Sequence, residues 1–274
     1  MTVQLQSIPI AEDFFGPRQD TVLTWLGMAG VAINARGTVL LIDPLIASSV
    51  QEGRRVCECG RGLRIDLPVE ARAVPAADAV LYTHADDDHY GPHTAEALER
   101  RLRPAFLAPP PVLDRLREIP VPSERLIRAE DFAVHAFGAV EVAVTPALHD
   151  WQETDPWQRG DCVGFIVRTP DGSIWHPGDT RLIDELRYVR NVDVLMFDVA
   201  AVRTHLGPAG SASLGRSGGA SLMLVYHYGT LDVPAGSFGG CDPADALPHL
   251  QDVQAEFLTP SPGQVIRLPA RSPA

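Results

Sequence analysis

An apolar run, Ala79-Val-Leu-Tyr82, leads straight into Thr83-His84-Ala85-Asp86-Asp87-Asp88-His89-Tyr90-Gly91. Two imidazoles and three carboxylates crowd the six positions from His84 to His89. Carboxylates this close repel one another unless they are protonated or neutralised by a cation. The segment therefore demands a fold in which a buried strand ends at a polar edge that can gather further donors. Imidazole and carboxylate together suit zinc, iron or manganese. A solvated acidic turn accounts for the Asp run but leaves His at both ends unexplained.

Other candidates for the same edge follow later in the chain. His149 trails the strand predicted at Val140–Val144, Asp179 trails Ser173–His176, and His227 ends the apolar run Leu222–Tyr226. Taken singly, such residues are usually hydrogen-bonded structural groups. Together they all stand at strand ends, where one edge of a sandwich can collect them.

The rest of the chain reads as alternating strands and helices. Thr21–Leu26, Val31–Ala35 and Thr38–Ile42 are short, β-rich and separated by glycines, the pattern of an antiparallel meander. Residues 45–75 show weak periodicity and read as a surface excursion. Pro92 opens a helix predicted to run to Leu102, since a missing N–H costs nothing in the first turn. A second helix is expected near Val112–Arg117. Gly164–Thr169 and Ser173–His176 flank Pro170-Asp171-Gly172, a hairpin signal. A helix near Leu182–Val189, strands at Val194–Val199 and Leu222–Tyr226, a helix near Pro243–Val253 and a strand at Val265–Leu268 complete the prediction. Over 274 residues no fixed-period repeat or low-complexity linker is visible, so one domain spanning 1–274 is expected. Strand-rich halves with interspersed helices suggest an α/β architecture of two sheets packed face to face with helices outside.

Charge and composition remove several classes. Acids outnumber bases 35 to 23, giving a formal charge of −12, and every base is Arg. The absence of Lys excludes Schiff-base and P-loop lysine chemistry. The negative balance disfavours nucleic acid as a partner, which needs clustered positive charge. No apolar run approaches the roughly 20 residues that span a bilayer, and no basic segment precedes a hydrophobic signal core. A soluble, cytoplasmic protein without a membrane partner is expected. Cys57 and Cys59 form C-x-C without a second pair at zinc-ribbon spacing, and with Cys162 and Cys241 they read as free thiols in a reducing compartment.

Several other residues carry weaker signals. His205 and Arg203, in Arg203-Thr-His-Leu-Gly-Pro, are candidates to face a substrate, His205 as a proton donor, although a surface loop explains them equally well. Gly207–Ala220, rich in small residues, reads as a mobile flap. Its Gly215-Arg-Ser217-Gly-Gly219 matches the serine-hydrolase elbow formally but lacks the buried strand that motif needs. Trp151, Trp157 and Tyr90 are candidates for an apolar substrate wall. Asp87 is expected to face solvent, and His93, His135, His176 and His249 to be structural.

From Thr24 to Thr230 the chain resembles the metallo-β-lactamase superfamily. Thr24-Trp-Leu-Gly-Met-Ala-Gly and then Leu40-Leu-Ile-Asp-Pro look like the first strands of the branch that holds ascorbate-6-phosphate lactonase and related hydrolases. The superfamily signature, His-x-His-x-Asp-His with a later His, Asp and His, reads here as His84-x-Asp86-x-Asp88-His89, then His149, Asp179 and His227. The resemblance implies an αββα sandwich of two mixed β-sheets flanked by helices, with a dinuclear site at one edge. It implies one metal on His84, Asp86 and His149, a second on Asp88, His89 and His227, and Asp179 bridging them with a hydroxide.

Asp86 departs from the pattern, which has His there; flavodiiron proteins carry Glu at the matching position. The extra carboxylate makes the centre less positive, lowers the pKa of bound water less, and shifts preference from zinc toward manganese or iron. The implied activity is hydrolysis of a lactone, ester, amide or phosphoester of a small molecule by the bridging hydroxide, with Asp88 and His205 as catalytic candidates. The alternative is a di-iron redox or oxygen-handling enzyme on the same site. A homo-oligomer is compatible with either.

Overall fold

The computed structural model describes residues 5–268. The strands are β1 (Thr21–Gly27), β2 (Gly30–Ala35), β3 (Thr38–Ile42), β4 (Ser48–Gln51), β5 (Arg54–Cys57), β6 (Ala79–Leu81), β7 (Ala105–Ala108) and β8 (Leu126–Arg128), then β9 (Val134–Phe137), β10 (Val140–Pro146), β11 (Val163–Thr169), β12 (Gly172–His176), β13 (Val194–Phe197), β14 (Leu222–Val225), β15 (Glu256–Leu258) and β16 (Ile266–Arg267). The α-helices are α1 (Pro92–Leu102), α2 (Pro110–Leu116), α3 (Gly207–Gly218) and the single turn α4 (Leu247–Leu250).

Two seven-stranded sheets form the sandwich, in the orders β16-β1-β2-β3-β6-β7-β8 and β15-β14-β13-β12-β11-β10-β9, and β4-β5 is a separate hairpin. Both sheets are mixed. In the first, β16 through β3 pair antiparallel and β3 through β8 parallel. In the second, β9 through β12 are antiparallel and β12 through β15 parallel.

Side-chain alternation explains the four layers. Along β1, Leu23 and Trp25 join the core between the sheets, whereas Val22 and Leu26 join a second core beneath the outer helices. Along β3, Leu40 and Ile42 face inward while Val39 and Leu41 face outward into that second core with Leu98 of α1 and Val112 of α2. Strands buried on both faces are apolar at nearly every position, so they read as near-continuous runs rather than as a half-polar pattern.

The expected αββα architecture is present, and three local expectations need correction. Gly207–Ala220 is not a flap: α3 occupies Gly207–Gly218 and ends on Gly219 in the left-handed conformation at φ 73°. Its small residues permit close packing on the second sheet, and a Cβ on Gly215 would fall 2.6 Å from Met223 Sδ. Ser217 lies in the last turn of that helix, its hydroxyl donating to Leu214 O at 3.3 Å, so the formal elbow match is the chance one its flanking sequence suggests. The helices expected at Leu182–Val189 and Pro243–Val253 shrink to a 3₁₀ segment at Asp184–Tyr188 and to a 3₁₀ turn followed by α4. Among the described residues no helix is long and apolar enough to cross a membrane.

The topology positions chemistry at one edge. β3 and β6 run parallel, as do β12, β13 and β14, and β10 shares their direction through two antiparallel steps. Their C-terminal ends therefore deliver Asp43, the Thr83–His89 loop, His149, Asp179, Asp198 and His227 to the same rim of the sandwich. The opposite rim carries the tight turns at Arg36 and Asp171, joined by a side-chain ion pair at 2.5 Å.

Candidate metal centre

The rim gathers all seven residues predicted as ligands. His84, Asp86 and His149 form one group whose donor atoms lie within 4.8 Å of one another, and Asp88, His89 and His227 form another. Asp179 stands between them: its Oδ2 is 3.3 Å from His89 Nε2 and 3.4 Å from His227 Nε2. His205, expected as a proton donor, also enters a donor group with His149 and Asp179. All eight side chains are buried except that of Asp86, which is half-buried.

Local backbone geometry explains the convergence. His227 adopts the left-handed region at φ 62°, as do Asp43 at 43° and Met28 at 42°. Side chains rarely take this conformation without compensation, and such residues concentrate at functional sites. The His227 N–H is anchored on Met28 O at 2.9 Å. Asp179 follows Gly178, whose φ is +67° and whose absent Cβ would meet Val163 O at 2.7 Å and Thr83 Cβ at 3.0 Å. Only glycine lets the Pro177-Gly178 loop thread between β11 and Thr83, so Asp179 is set between the two donor groups by backbone packing.

A second set of contacts orients the imidazoles. The Thr83 hydroxyl donates to Asp43 Oδ2 at 2.6 Å and pairs with His84 Nδ1 at 2.9 Å, while Thr83 N–H donates to Asp43 Oδ1 at 2.7 Å. His89 Nδ1 lies 2.8 Å from Asp43 Oδ2. His149 Nδ1 faces Thr204 O at 3.1 Å and His227 Nδ1 faces Phe238 O at 3.4 Å. Each Nδ1–H thus has an acceptor, which leaves the Nε2 lone pairs to point inward, as outer contacts do for metal-ligating histidines.

Electrostatics call for positive charge at the centre. Burial works against protonating His89, yet Asp179, Asp88 and Asp43 pull it well above the ordinary imidazole range. Burial likewise opposes charge on Asp179, but His227, His205 and His89 hold it well below the usual carboxylate range. Asp86 behaves in the same way: burial is outweighed by the His149 and His84 imidazoles, whose Nε2 atoms stand 3.3 and 3.4 Å from its Oδ2. His84 Nε2 and Asp179 Oδ1 are buried without a hydrogen-bond partner, and His89 Nε2 faces His227 Nε2 at 3.1 Å. Inward-facing imidazole nitrogens and carboxylates, with orphaned atoms among them, are the donor set that divalent cations take, so the residues fit a metal pair.

A cavity of about 670 Å³ adjoins these groups, and its lining includes Asp86, Asp88, His149 and Asp179 together with Trp151, Val202 and Phe238 and the cations Arg61 and Arg115. Trp151 Nε1 donates to Asp86 Oδ2 at 2.8 Å. Of the three aromatic wall candidates, Trp151 alone lines this cavity. Trp157 packs edge-on behind His84 at 5.5 Å, and Tyr90 packs on Tyr82 at 5.3 Å under a neighbouring cleft. Asp87 is exposed and ion-paired to Arg61 at 2.9 Å, whereas Arg203, also exposed, donates to the Asp150 backbone oxygen at 3.3 Å.

Two supporting residues escaped the sequence reading. Asp43 had a signal, an acid closing the buried run Val39–Ile42 before Pro44. Asp198, fully buried and 3.3 Å from His205 Nδ1, gave the same signal at the end of β13. His176 is structural, as expected, but also supports the site: its Nδ1 accepts from Gly178 N–H at 3.2 Å and its Nε2 faces Ala29 O at 3.0 Å.

Comparison with known proteins identifies the family and the fold. Residues 38–228 match the family described as the beta-lactamase superfamily domain. The chain is 30% identical over 214 residues to the UPF0173 metal-dependent hydrolase of Methanoculleus marisnigri, across 76% of this chain and 81% of that one. It belongs to the β-lactamase superfamily. Among solved structures, the metallo hydrolase Igni18 of Ignicoccus hospitalis superposes with a TM-score of 0.68 at 16% identity, covering 92% of this chain and 100% of its own. The diiron β-hydroxylase CmlA of Streptomyces venezuelae superposes at 0.66 with 17% identity, covering 92% of this chain and 55% of its own. Both show the same fold.

Proposed function

We infer that the protein is a metal-dependent hydrolase of small molecules with a dinuclear centre. His84, Asp86 and His149 would hold one cation, Asp88, His89 and His227 the other, and Asp179 both. The observation that carries this reading is the pair of inward-facing donor groups sharing Asp179 at the floor of a cavity. When bound, the ions supply Lewis acidity, which polarises the scissile group and makes water acidic enough to attack it near neutral pH.

The chain's own residues do the rest. Trp151, Val202 and Phe238 exclude water from one side of the substrate and favour an apolar body. Asp86, sitting where the superfamily pattern has His, adds a hard oxygen donor and favours manganese or iron(II) over zinc alone. His205 is held between Asp198 and Asp179, its Nε2 3.4 Å from Asp179 Oδ2. Burial opposes its charge, but Asp179 and Asp198 raise it to about 9. Its place between the two carboxylates beside the cavity makes it the candidate to pass a proton to a departing alkoxide or amine. A lactone, ester, amide or phosphoester of a small molecule matches the cavity size, and a net charge of −12 disfavours nucleic acid.

A panel of aryl ester, lactone, anilide and phosphodiester substrates, assayed on metal-loaded protein with and without oxygen, tests the reading. Expected is oxygen-independent hydrolysis of at least one class, lost in Asp88→Ala. Turnover that needs oxygen, or hydrolysis indifferent to Asp88→Ala, would overturn it.

A further inference from the structure

The C-x-C cysteines that the sequence presents as ordinary free thiols are not ordinary in the structure. Cys57 closes β5 and Cys59 lies in the turn that follows, with the two sulfurs 2.8 Å apart and the Cys59 N–H 3.3 Å from Cys57 Sγ. The backbone holds that turn closed through Gly60 N–H to Cys57 O at 2.8 Å and Cys57 N–H to Arg61 O at 2.9 Å. No side chain separates the sulfurs.

Their surroundings differ. Cys57 is buried in a small apolar cluster with Met28, Leu45, Leu231 and Val233. Cys59 is partly exposed and lines a separate cleft of about 450 Å³, together with Tyr90, Arg115 and Glu118. One thiol is accessible to a small reagent; the other waits behind it.

We propose that Cys57 and Cys59 form a reversible dithiol–disulfide pair oxidised by a hydroperoxide, with Cys59 as the attacking sulfur and Cys57 as the resolving one. The Cys59 thiolate attacks the terminal peroxide oxygen, forming an S–O bond as the O–O bond breaks, and the departing alkoxide or hydroxide takes a proton. Cys57 sulfur then attacks Cys59 sulfur, forming the S–S bond as the S–O bond breaks and water leaves. Two thiols and one hydroperoxide become one disulfide, one alcohol (or water) and one water.

Charge supports this assignment of roles. The hydrogen bond shared with Cys57 favours the Cys59 thiolate. Burial opposes it, but the Arg61 backbone and guanidinium add to the stabilisation, and Cys59 falls to about 7. The shared bond and burial push Cys57 upward. Thiolate character and access are what select a cysteine for oxidation. The same turn carries Glu58, which accepts from the backbone N–H groups of His93 and Thr94 at the start of α1, and Arg61, which pairs with Asp87, both of these lining the cavity beside the donor groups. The pair thus sits in the turn that contributes Arg61 to that cavity. Its chemistry is independent of what the metal centre hydrolyses.

The test treats the purified full chain with hydrogen peroxide, alkylates the remaining thiols after unfolding, and maps tryptic peptides by mass spectrometry. Expected is a Val56–Arg61 peptide lighter by two hydrogens and unalkylated, with Cys162 and Cys241 still alkylated, and full reversal by a thiol reductant. Cys57→Ser should stop at a dimedone-trapped sulfenic acid on Cys59, and Cys59→Ser should leave Cys57 reduced. Alkylation of both Cys57 and Cys59 after peroxide, or oxidation of Cys241 ahead of Cys59, would overturn the proposal.

Discussion

Asp43 Oδ2 accepts from His89 Nδ1 at 2.8 Å, tying the end of β3 to the last residue of the His84–His89 loop. Through the Thr83 hydroxyl, the same carboxylate reaches His84 Nδ1. One buried acid therefore orients an imidazole in each donor group. Asp43→Asn should lower metal affinity by about 10- to 100-fold without removing any ligand. Competition against a chromogenic chelator measures this, and an unchanged affinity would refute the positioning role.

Gly178→Ala should be more damaging than its size suggests. It forces a side chain into a positive-φ position and against Val163 O, at a cost of about 1–3 kcal/mol in strain. Because Asp179 is the next residue, bound metal should fall together with thermal stability. A variant that keeps both would show that the loop can relax without moving Asp179.

Asp86→His restores a nitrogen donor at the one position departing from the superfamily pattern. The zinc share of the as-purified protein should rise relative to manganese and iron, since imidazole suits zinc better than carboxylate does. Elemental analysis of wild type and variant, expressed side by side without added metal, reads the change. An identical metal profile would remove Asp86 as the selector.

Much of the candidate centre is legible because its donor residues are chemically loud: His84, Asp86, Asp88 and His89 stand together, and His149, Asp179 and His227 each follow a predicted strand. The supporting shell was quieter. Asp43 and Asp198 look like ordinary strand-end acids until the topology brings them beneath His89 and His205. β7, β8, β9 and β15 span only three or four residues each, too short for periodicity to separate them from loops. α3 misled in the opposite sense: Gly210, Ser211 and Gly215 signal flexibility by propensity, yet the helix forms, and the missing side chain of Gly215 lets it pack against Met223 of β14.

At the opposite rim, Asp171 accepts from Arg36 and from the Thr21 hydroxyl, linking a turn of one sheet to a turn of the other. The Arg36 hydrogen bond, against a small burial penalty, lowers its pKa below the ordinary carboxylate value. A depressed carboxyl contributes stability above its unfolded pKa and loses it as pH falls through the folded one. Asp171→Asn should therefore be less stable than wild type at neutral pH, with the difference closing below the ordinary carboxylate range. Denaturant midpoints at several pH values check this, and a gap that is constant with pH would contradict the ionic contribution.

On the proposed function, seven side chains from both sheets hold two cations. Elemental analysis of metal-saturated, desalted protein tests it most directly, using wild type, His149→Ala and His227→Ala. Two equivalents per chain are predicted for wild type, with about one in each variant because each removes a ligand from a different group. A wild-type protein holding no stoichiometric metal, or variants that bind as much as wild type, would contradict the account.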